Sequence, residues 1–217
     1  MQALHIDVVS DVVCPWCYVG KRRLESALQQ WAQDHPGQPA PVVRWLPFQL
    51  NPDLDRGGMS RADYVAQKFG SRAASVYDRV TAVGASVGIP FNFSGIQRQP
   101  NTLKAHALIA LAEAGPDQDR LVQALFDAYF IENLDLTDDA VLARIAQGAG
   151  VDAQRAQQAL NDAGLLEQVA KADAQARSLG INGVPFFIFN GQIGVSGAQE
   201  PEQLLAAMAQ AQANTQS

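Results

Sequence analysis

Ser10-Asp11-Val12-Val13-Cys14-Pro15-Trp16-Cys17-Tyr18-Val19-Gly20 is the stretch whose reading decides the fold. It holds the only two cysteines of a 217-residue chain. A strand-like run over residues 3–9, with Leu4, Ile6 and Val8 on one face, ends just before it. A helix-like run over 17–35 starts within it, with Leu24, Ala27, Leu28 and Trp31 at helical spacing. His35-Pro36-Gly37 stops that helix. Val42 to Leu46 then reads as a second strand, closing at Pro47. Residues 3–47 therefore form a β-α-β unit, with both cysteines at its first strand–helix junction.

Outward from that unit the character changes. From about Ser60 to Leu179 alanine and glutamine rise and helical periodicity dominates. One stripe is Val76, Val80, Val83 and Val87, stopped by Gly88-Ile89-Pro90. A second is Leu103, Ala107, Leu108 and Leu111, capped by Asn101 or Thr102 and stopped at Gly115-Pro116. A third is Leu121, Ala124, Leu125, Ala128 and Tyr129. Val141, Leu142 and Ile145 follow the cap-like Thr137-Asp138-Asp139, and shorter helical runs cover 152–162 and 165–179. Gly180 suits a left-handed end to the last of them. Strand character returns at Val184–Phe189, and Asn190-Gly191 is a hairpin signal. Gln192–Ser196 alternates, and Pro201 opens a last helix with Leu204, Leu205 and Met208 buried. The tail from Ala209 is expected to fray. The order predicts an α/β fold: residues 1–58 and 180–217 make one mixed sheet with its helices, and 59–179 an inserted all-α subdomain.

Composition narrows the function. The net charge of −6 offers no basic patch for a phosphate backbone, so nucleic acid is not an expected partner. No run approaches the length of a membrane span. The N-terminus lacks a basic region followed by an apolar one, which predicts a cytoplasmic protein; an already processed chain is the competing reading. In a reducing compartment a lone Cys-x-x-Cys pair points to catalysis or metal rather than to a structural bridge. No second cysteine pair exists, and His5, His35 and His106 are not at ligand spacing, so no metal is expected.

The pair itself suits thiol–disulfide exchange. If Cys14 sits at or just before the first helical turn, free backbone N–H groups and the helix dipole favour its thiolate. Cys17, one turn further in, is then the more buried thiol and resolves the mixed disulfide formed at Cys14. Trp16 offers a flat apolar surface beside the reactive sulfur. Pro185 enters a strand within Gly183-Val184-Pro185-Phe186-Phe187, and a proline there removes a ladder donor. From the frequency of such bonds alone Val184–Pro185 reads as trans; a cis turn holding a backbone edge against the cysteines is the sharper alternative.

Taken together, Asp11 to Leu24 through the Cys14-Pro15-Trp16-Cys17 pair, Phe48-Gln49-Leu50-Asn51-Pro52, Asn101-Thr102 with Ala105-His106, Gly183 to Phe187, and Ser196-Gly197-Ala198-Gln199 resemble the DsbA family of the thioredoxin superfamily. Within it they are similar to the FrnE-like cytoplasmic branch. The resemblance implies a thioredoxin fold split by a helical insertion. It implies Cys14 as nucleophile, Cys17 as resolving thiol and Pro185 as a cis-proline beside them. Val184 would then offer backbone N–H and C=O groups to an extended substrate. The implied partners are disulfide- or thiol-bearing proteins or small thiols, with no bound cofactor and with glutathione or another thiol as a co-substrate. Monomer and homodimer both stay open.

The chain departs from the family in two places. The buried acid six residues before the nucleophile falls on Val8. Asp7 and Asp11 are nearby; Asp11 reads equally as proton acceptor for Cys17 or as a solvated loop carboxylate. The dipeptide between the cysteines is Pro-Trp, so no reduction potential carries over. Lys21, Arg22 and Arg23 read as a solvated helix face, with attraction of an acidic thiol as the sharper alternative. Phe126, Tyr129 and Phe130 read as core rather than cleft, and His106 as a satisfied, partly buried histidine rather than a catalytic one. Two other functions compete. One is a glutathione-dependent isomerase or transferase of the kappa-class or 2-hydroxychromene-2-carboxylate isomerase type, which typically has serine where Cys14 lies. The other is a holdase using the helices as an apolar cradle.

Overall fold

A computed structural model describes residues 3–216. In chain order its elements begin with β1 (His5–Ser10), α1 (Pro15–Asp34), β2 (Val42–Pro47) and β3 (Met59–Ser60). Helices α2 (Arg61–Phe69) and α3 (Ala73–Ser86) follow, then β4 (Arg98–Gln99). The remaining helices of this stretch are α4 (Leu103–Leu111), α5 (Pro116–Phe130), α6 (Asp139–Gly148), α7 (Ala153–Ala159) and α8 (Ala163–Ser178). The chain closes with β5 (Phe186–Phe189), β6 (Ile193–Ser196) and α9 (Pro201–Gln216).

The two ends of the chain build one sheet, as the split pattern predicts. Its order is β2-β1-β5-β6, with β1 parallel to β2 and antiparallel to β5. The parallel pair needs a crossover, which α1 supplies. Register sorts the faces. Ile6 lies between Val43 and Phe189, and Val8 between Trp45 and Phe187. This face is buried under Leu24, Ala27 and Trp31 of α1 and Leu204 and Met208 of α9. Each leucine or methionine among them contributes roughly 1.5–3 kcal/mol by leaving water. On the opposite face Val9, Leu46, Phe186 and Ile188 gather with Phe48, Ala176 and Ile181.

Apart from a small cluster of Ala107, Leu166 and Val169, the helices of the middle segment share the interior of the sheet. The same core that holds Ile6, Val8 and Phe187 continues through Leu108, Leu121, Leu125 and Phe126. Tyr18 of α1 stacks on Phe126 of α5, with ring centroids 4.9 Å apart and planes 4° from parallel. At the sheet edge, the Gly115 N–H donates to the Val43 carbonyl at 2.8 Å, and Gln118 Oε1 accepts from Trp45 N–H at 2.7 Å. The start of α5 therefore shields an edge that would otherwise stay open.

Local chemistry explains the boundaries. Asp138 caps α6 by accepting from Ala140 N–H at 2.8 Å, and Asp162 caps α8 from Gly164 and Leu165. Before α4 it is Asn101, not Thr102, that accepts from Leu103 N–H. Asn190 and Gly191 both take positive φ (48° and 68°), the geometry of a tight hairpin turn. Three expectations need correction. Pro15, not Cys17, begins α1, because proline fits the first turn, where no donor is needed. The β3–β4 pair, two residues per strand, is too short to leave a periodic signal. Helix α9 continues through the Ala/Gln-rich tail, where Ala211 is fully buried and Gln212 bonds Gln38 at 2.6 Å.

Candidate active site

Strand β1 ends at Ser10, and the chain turns so that Cys14 N–H donates to Asp11 C=O at 3.0 Å. Cys14 then stands as the N-cap of α1, in extended backbone conformation, with Pro15 in the first turn. Its carbonyl accepts from Cys17 N–H at 3.0 Å. Both cysteines are free thiols; Cys14 is 5% exposed and Cys17 fully buried. Cys17 is held well above its ordinary value, first by burial and then by its hydrogen bond to Cys14 and the charge there. The Ser10 hydroxyl and Asp11 backbone oppose that rise.

The facing wall comes from the far end of the chain. The Val184–Pro185 peptide bond is cis, so the sharper of the two readings holds. Cys14 Sγ donates to the Val184 carbonyl at 3.6 Å. Val184 and Trp16 are half-buried against the main core, and Pro185 is buried. The Pro185 carbonyl accepts from Gly197 N–H at 2.8 Å, which ties this loop to the end of β6. The structure thus brings Cys14, Cys17, Trp16, Val184 and Pro185 into one neighbourhood.

The carboxylates separate. Asp7 leaves the site: it faces the other side of the sheet and pairs with Arg44 at 2.7 and 2.8 Å. Asp11 is not a solvated loop carboxylate. It is fully buried, accepting from Leu50 N–H at 2.7 Å and facing His106 Nε2 at 3.2 Å. His106, on helix α4, has the partner expected of it but is buried rather than partly buried, 3% exposed. Val8, where the family's acid would stand, is fully buried apolar core.

The basic run after the motif is not a solvated face. Lys21 is 1% exposed and bridges Glu25 and Asp119, the latter at 2.8 Å. Arg23 bonds the Ala198 carbonyl and Glu200, and Arg22 reaches Glu25 at 3.0 Å. Lys21 and Arg23 pin α1 to its neighbours, because helix packing buries the flank they occupy, while Arg22 pairs within α1. Phe126, Tyr129 and Phe130 are core, as read.

A family model for the DsbA-like thioredoxin domain matches residues 5–209. The chain belongs to that family. Several solved structures are similar to it. A probable DsbA oxidoreductase of Streptomyces coelicolor, SCO1869, is 29% identical, with TM-score 0.83, covering 97% of this chain and 90% of its own. A 2-hydroxychromene-2-carboxylate isomerase is 19% identical, with TM-score 0.69 and coverage of 98% and 99%. The cytosolic disulfide reductase DsbM of Pseudomonas aeruginosa, solved with glutathione, is 18% identical, with TM-score 0.58 and coverage of 98% and 97%. The last two share the fold.

Within this DsbA-like frame three supports escape the sequence reading. A β-carbon on Gly20 would lie 2.9 Å from Pro185 Cγ and 3.2 Å from Phe187 Cζ. Glycine inside a helix costs about 1 kcal/mol, so its presence there was the available signal of close approach. Ser10 backs Cys17 and carried no signal beyond its place before the motif. Gln49 N–H donates to Asp173 at 2.9 Å, and Arg177 lies 4.0 Å over the Phe48 ring, which fixes the loop carrying Leu50. No spacing links α8 to that loop.

Proposed function

We propose that the protein is a thiol–disulfide oxidoreductase using Cys14 and Cys17 on the disulfides of proteins or small thiols. The observation that carries this is Cys14 at the N-cap of α1, its sulfur facing the Val184 carbonyl, with Cys17 one turn behind it. Family membership and a 29%-identical DsbA-type relative support a thiol–disulfide enzyme.

In this reading Cys14 thiolate attacks a substrate disulfide R–S–S–R′. One substrate sulfur leaves with the bonding pair, and the other is held as Cys14–S–S–R. Val184 offers its backbone edge to the substrate segment. Cys17 then attacks Cys14 Sγ, the bond to R breaks, and the second substrate thiol leaves. The substrate gains two electrons and the cysteine pair loses two. Burial, the chief cause that lifts Cys17, persists through the reaction, but two lesser causes depend on Cys14. Once Cys14 is bonded to substrate, its hydrogen bond and charge no longer oppose ionisation of Cys17. The reverse sequence oxidises a dithiol substrate.

Glutathione or another small thiol is the proposed co-substrate; DsbM, which shares the fold, was solved with glutathione. The FrnE-like branch and a cytoplasmic setting complete the proposal. Pro185 shapes the wall, and Trp16 and Val184 contact substrate. The test is dithiol-dependent insulin reduction together with refolding of a scrambled disulfide substrate. Cys14→Ser should abolish both; equal rates in wild type and variant would end the proposal.

A further inference from the structure

Behind Cys17 lies a set of polar groups that the exchange mechanism does not otherwise use. A cavity of about 10 Å³ is lined by Ser10 of β1 and His106 of α4, about the least volume that admits one water. Ser10 also backs the Cys17 thiol. His106 Nε2 faces Asp11 Oδ1 at 3.2 Å, and Asp11 Oδ2 accepts from Leu50 N–H at 2.7 Å. A carboxylate accepts, so Nε2 carries the proton and Nδ1 is left as the basic nitrogen. All this is sealed: Ser10 is 5%, Asp11 0% and His106 3% exposed.

Resting on the thiol–disulfide reading above, we propose that Ser10, His106 and Asp11 form the proton path of Cys17. As Cys17 attacks Cys14 Sγ, its proton passes to the Ser10 hydroxyl. The hydroxyl passes its own proton, directly or through one water, to His106 Nδ1, and Asp11 stabilises the imidazolium. The Cys14–substrate bond breaks with its pair on the departing sulfur, and His106 returns the proton when that thiolate leaves. Exchange in the opposite direction runs the path backwards. His106 and Asp11 act through Ser10 and are positioning residues for the thiol. They do the work that an acid at position 8 would do, from the other end of the same strand.

The surroundings leave these groups to each other. Val12, Trp45, Leu46, Ile109 and Val122 complete the cavity wall and carry no charge. Helix α8 meets α4 with Leu166 and Val169. From α1 the titratable neighbour is Cys17, and from α5 Tyr129 senses the Asp11 charge.

The test uses the reduced full-length chain and Ellman's reagent, whose two thionitrobenzoate anions are released in sequence. Cys14 attack frees the first, and Cys17 resolution of the mixed disulfide frees the second. Stopped-flow absorbance separates them. In Ser10→Ala and His106→Gln the second release should slow on the order of 10²-fold near neutral pH, the low end of a general base's contribution. Its pH profile should change as well. The variants, left without the relay, climb about tenfold per pH unit with the Cys17 thiolate fraction, and the wild type climbs less steeply. Ser10→Ala removes one oxygen and keeps the test open if His106→Gln fails to fold. Folded variants with the wild-type second phase and profile overturn the path alone. A wild type that never releases the second anion overturns the redox reading beneath it.

Discussion

Gly20 and Pro185 touch without room for a side chain: a β-carbon at position 20 would lie 2.9 Å from the proline Cγ. That contact sets the distance between helix α1, which carries both cysteines, and the loop that faces them. Alanine there should gain about 1 kcal/mol of helix propensity. Against that stand about 1–3 kcal/mol of overpacking, because the proline ring cannot swing aside. Gly20→Ala is therefore expected to lower the urea midpoint with an unchanged m-value. A raised midpoint would show that the two elements separate freely.

Cys17 makes stability depend on alkaline pH. Burial lifts its folded-state value well above 9.0, while the unfolded thiol ionises near that ordinary value. Between the two, the unfolded state is charged and the folded state is not. The stabilisation is complete below about pH 9 and falls as pH rises beyond it, by up to about 1.4 kcal/mol per unit from one group. Above pH 10 the tyrosines add to the slope, since Tyr18 is pushed up to about 12 and Tyr129 higher still, both chiefly by burial. Urea midpoints of the reduced protein between pH 8 and 10 should decline in wild type and stay flatter in Cys17→Ala. Parallel declines would place the effect elsewhere.

Lys21 is a buried cation, 1% exposed between Glu25 and Asp119. Lys21→Ala removes the charge and the stem that packs beneath it. Because Glu25 and Asp119 are 32% and 38% exposed, water takes over part of their loss. The expected cost is below the roughly 3–5 kcal/mol of a fully buried pair. Lys21→Met, which keeps the stem, should recover more than half of it in thermal or urea unfolding. Equal losses in the two variants would assign the whole effect to charge.

The fold was legible because its signals are local. The Leu4/Ile6/Val8 alternation, the Leu24–Trp31 stripe and the Asn190-Gly191 turn each report one element, and the two ends of the chain make a sheet only when joined. Cys14 and Cys17 announce themselves by spacing. The rest of the site depends on contacts between distant segments, which periodicity does not encode. Asp11 looks like any loop acid until Leu50 and His106 close over it. Lys21-Arg22-Arg23 looks like a wet helix face until Asp119 and Glu200 arrive from other helices and loops. The cis bond at Pro185 went against the frequency of such bonds. There the family resemblance, not propensity, carried the expectation.

The most direct test of the account is the redox state of the cysteine pair itself. The protein is equilibrated with graded ratios of reduced to oxidised glutathione, quenched with acid and weighed intact by mass spectrometry. The account predicts a Cys14–Cys17 disulfide, seen as loss of two hydrogens, whose population follows a two-electron curve and disappears in Cys14→Ser and Cys17→Ser. Free thiols at every ratio in the wild type, or curves that survive either substitution, would contradict it.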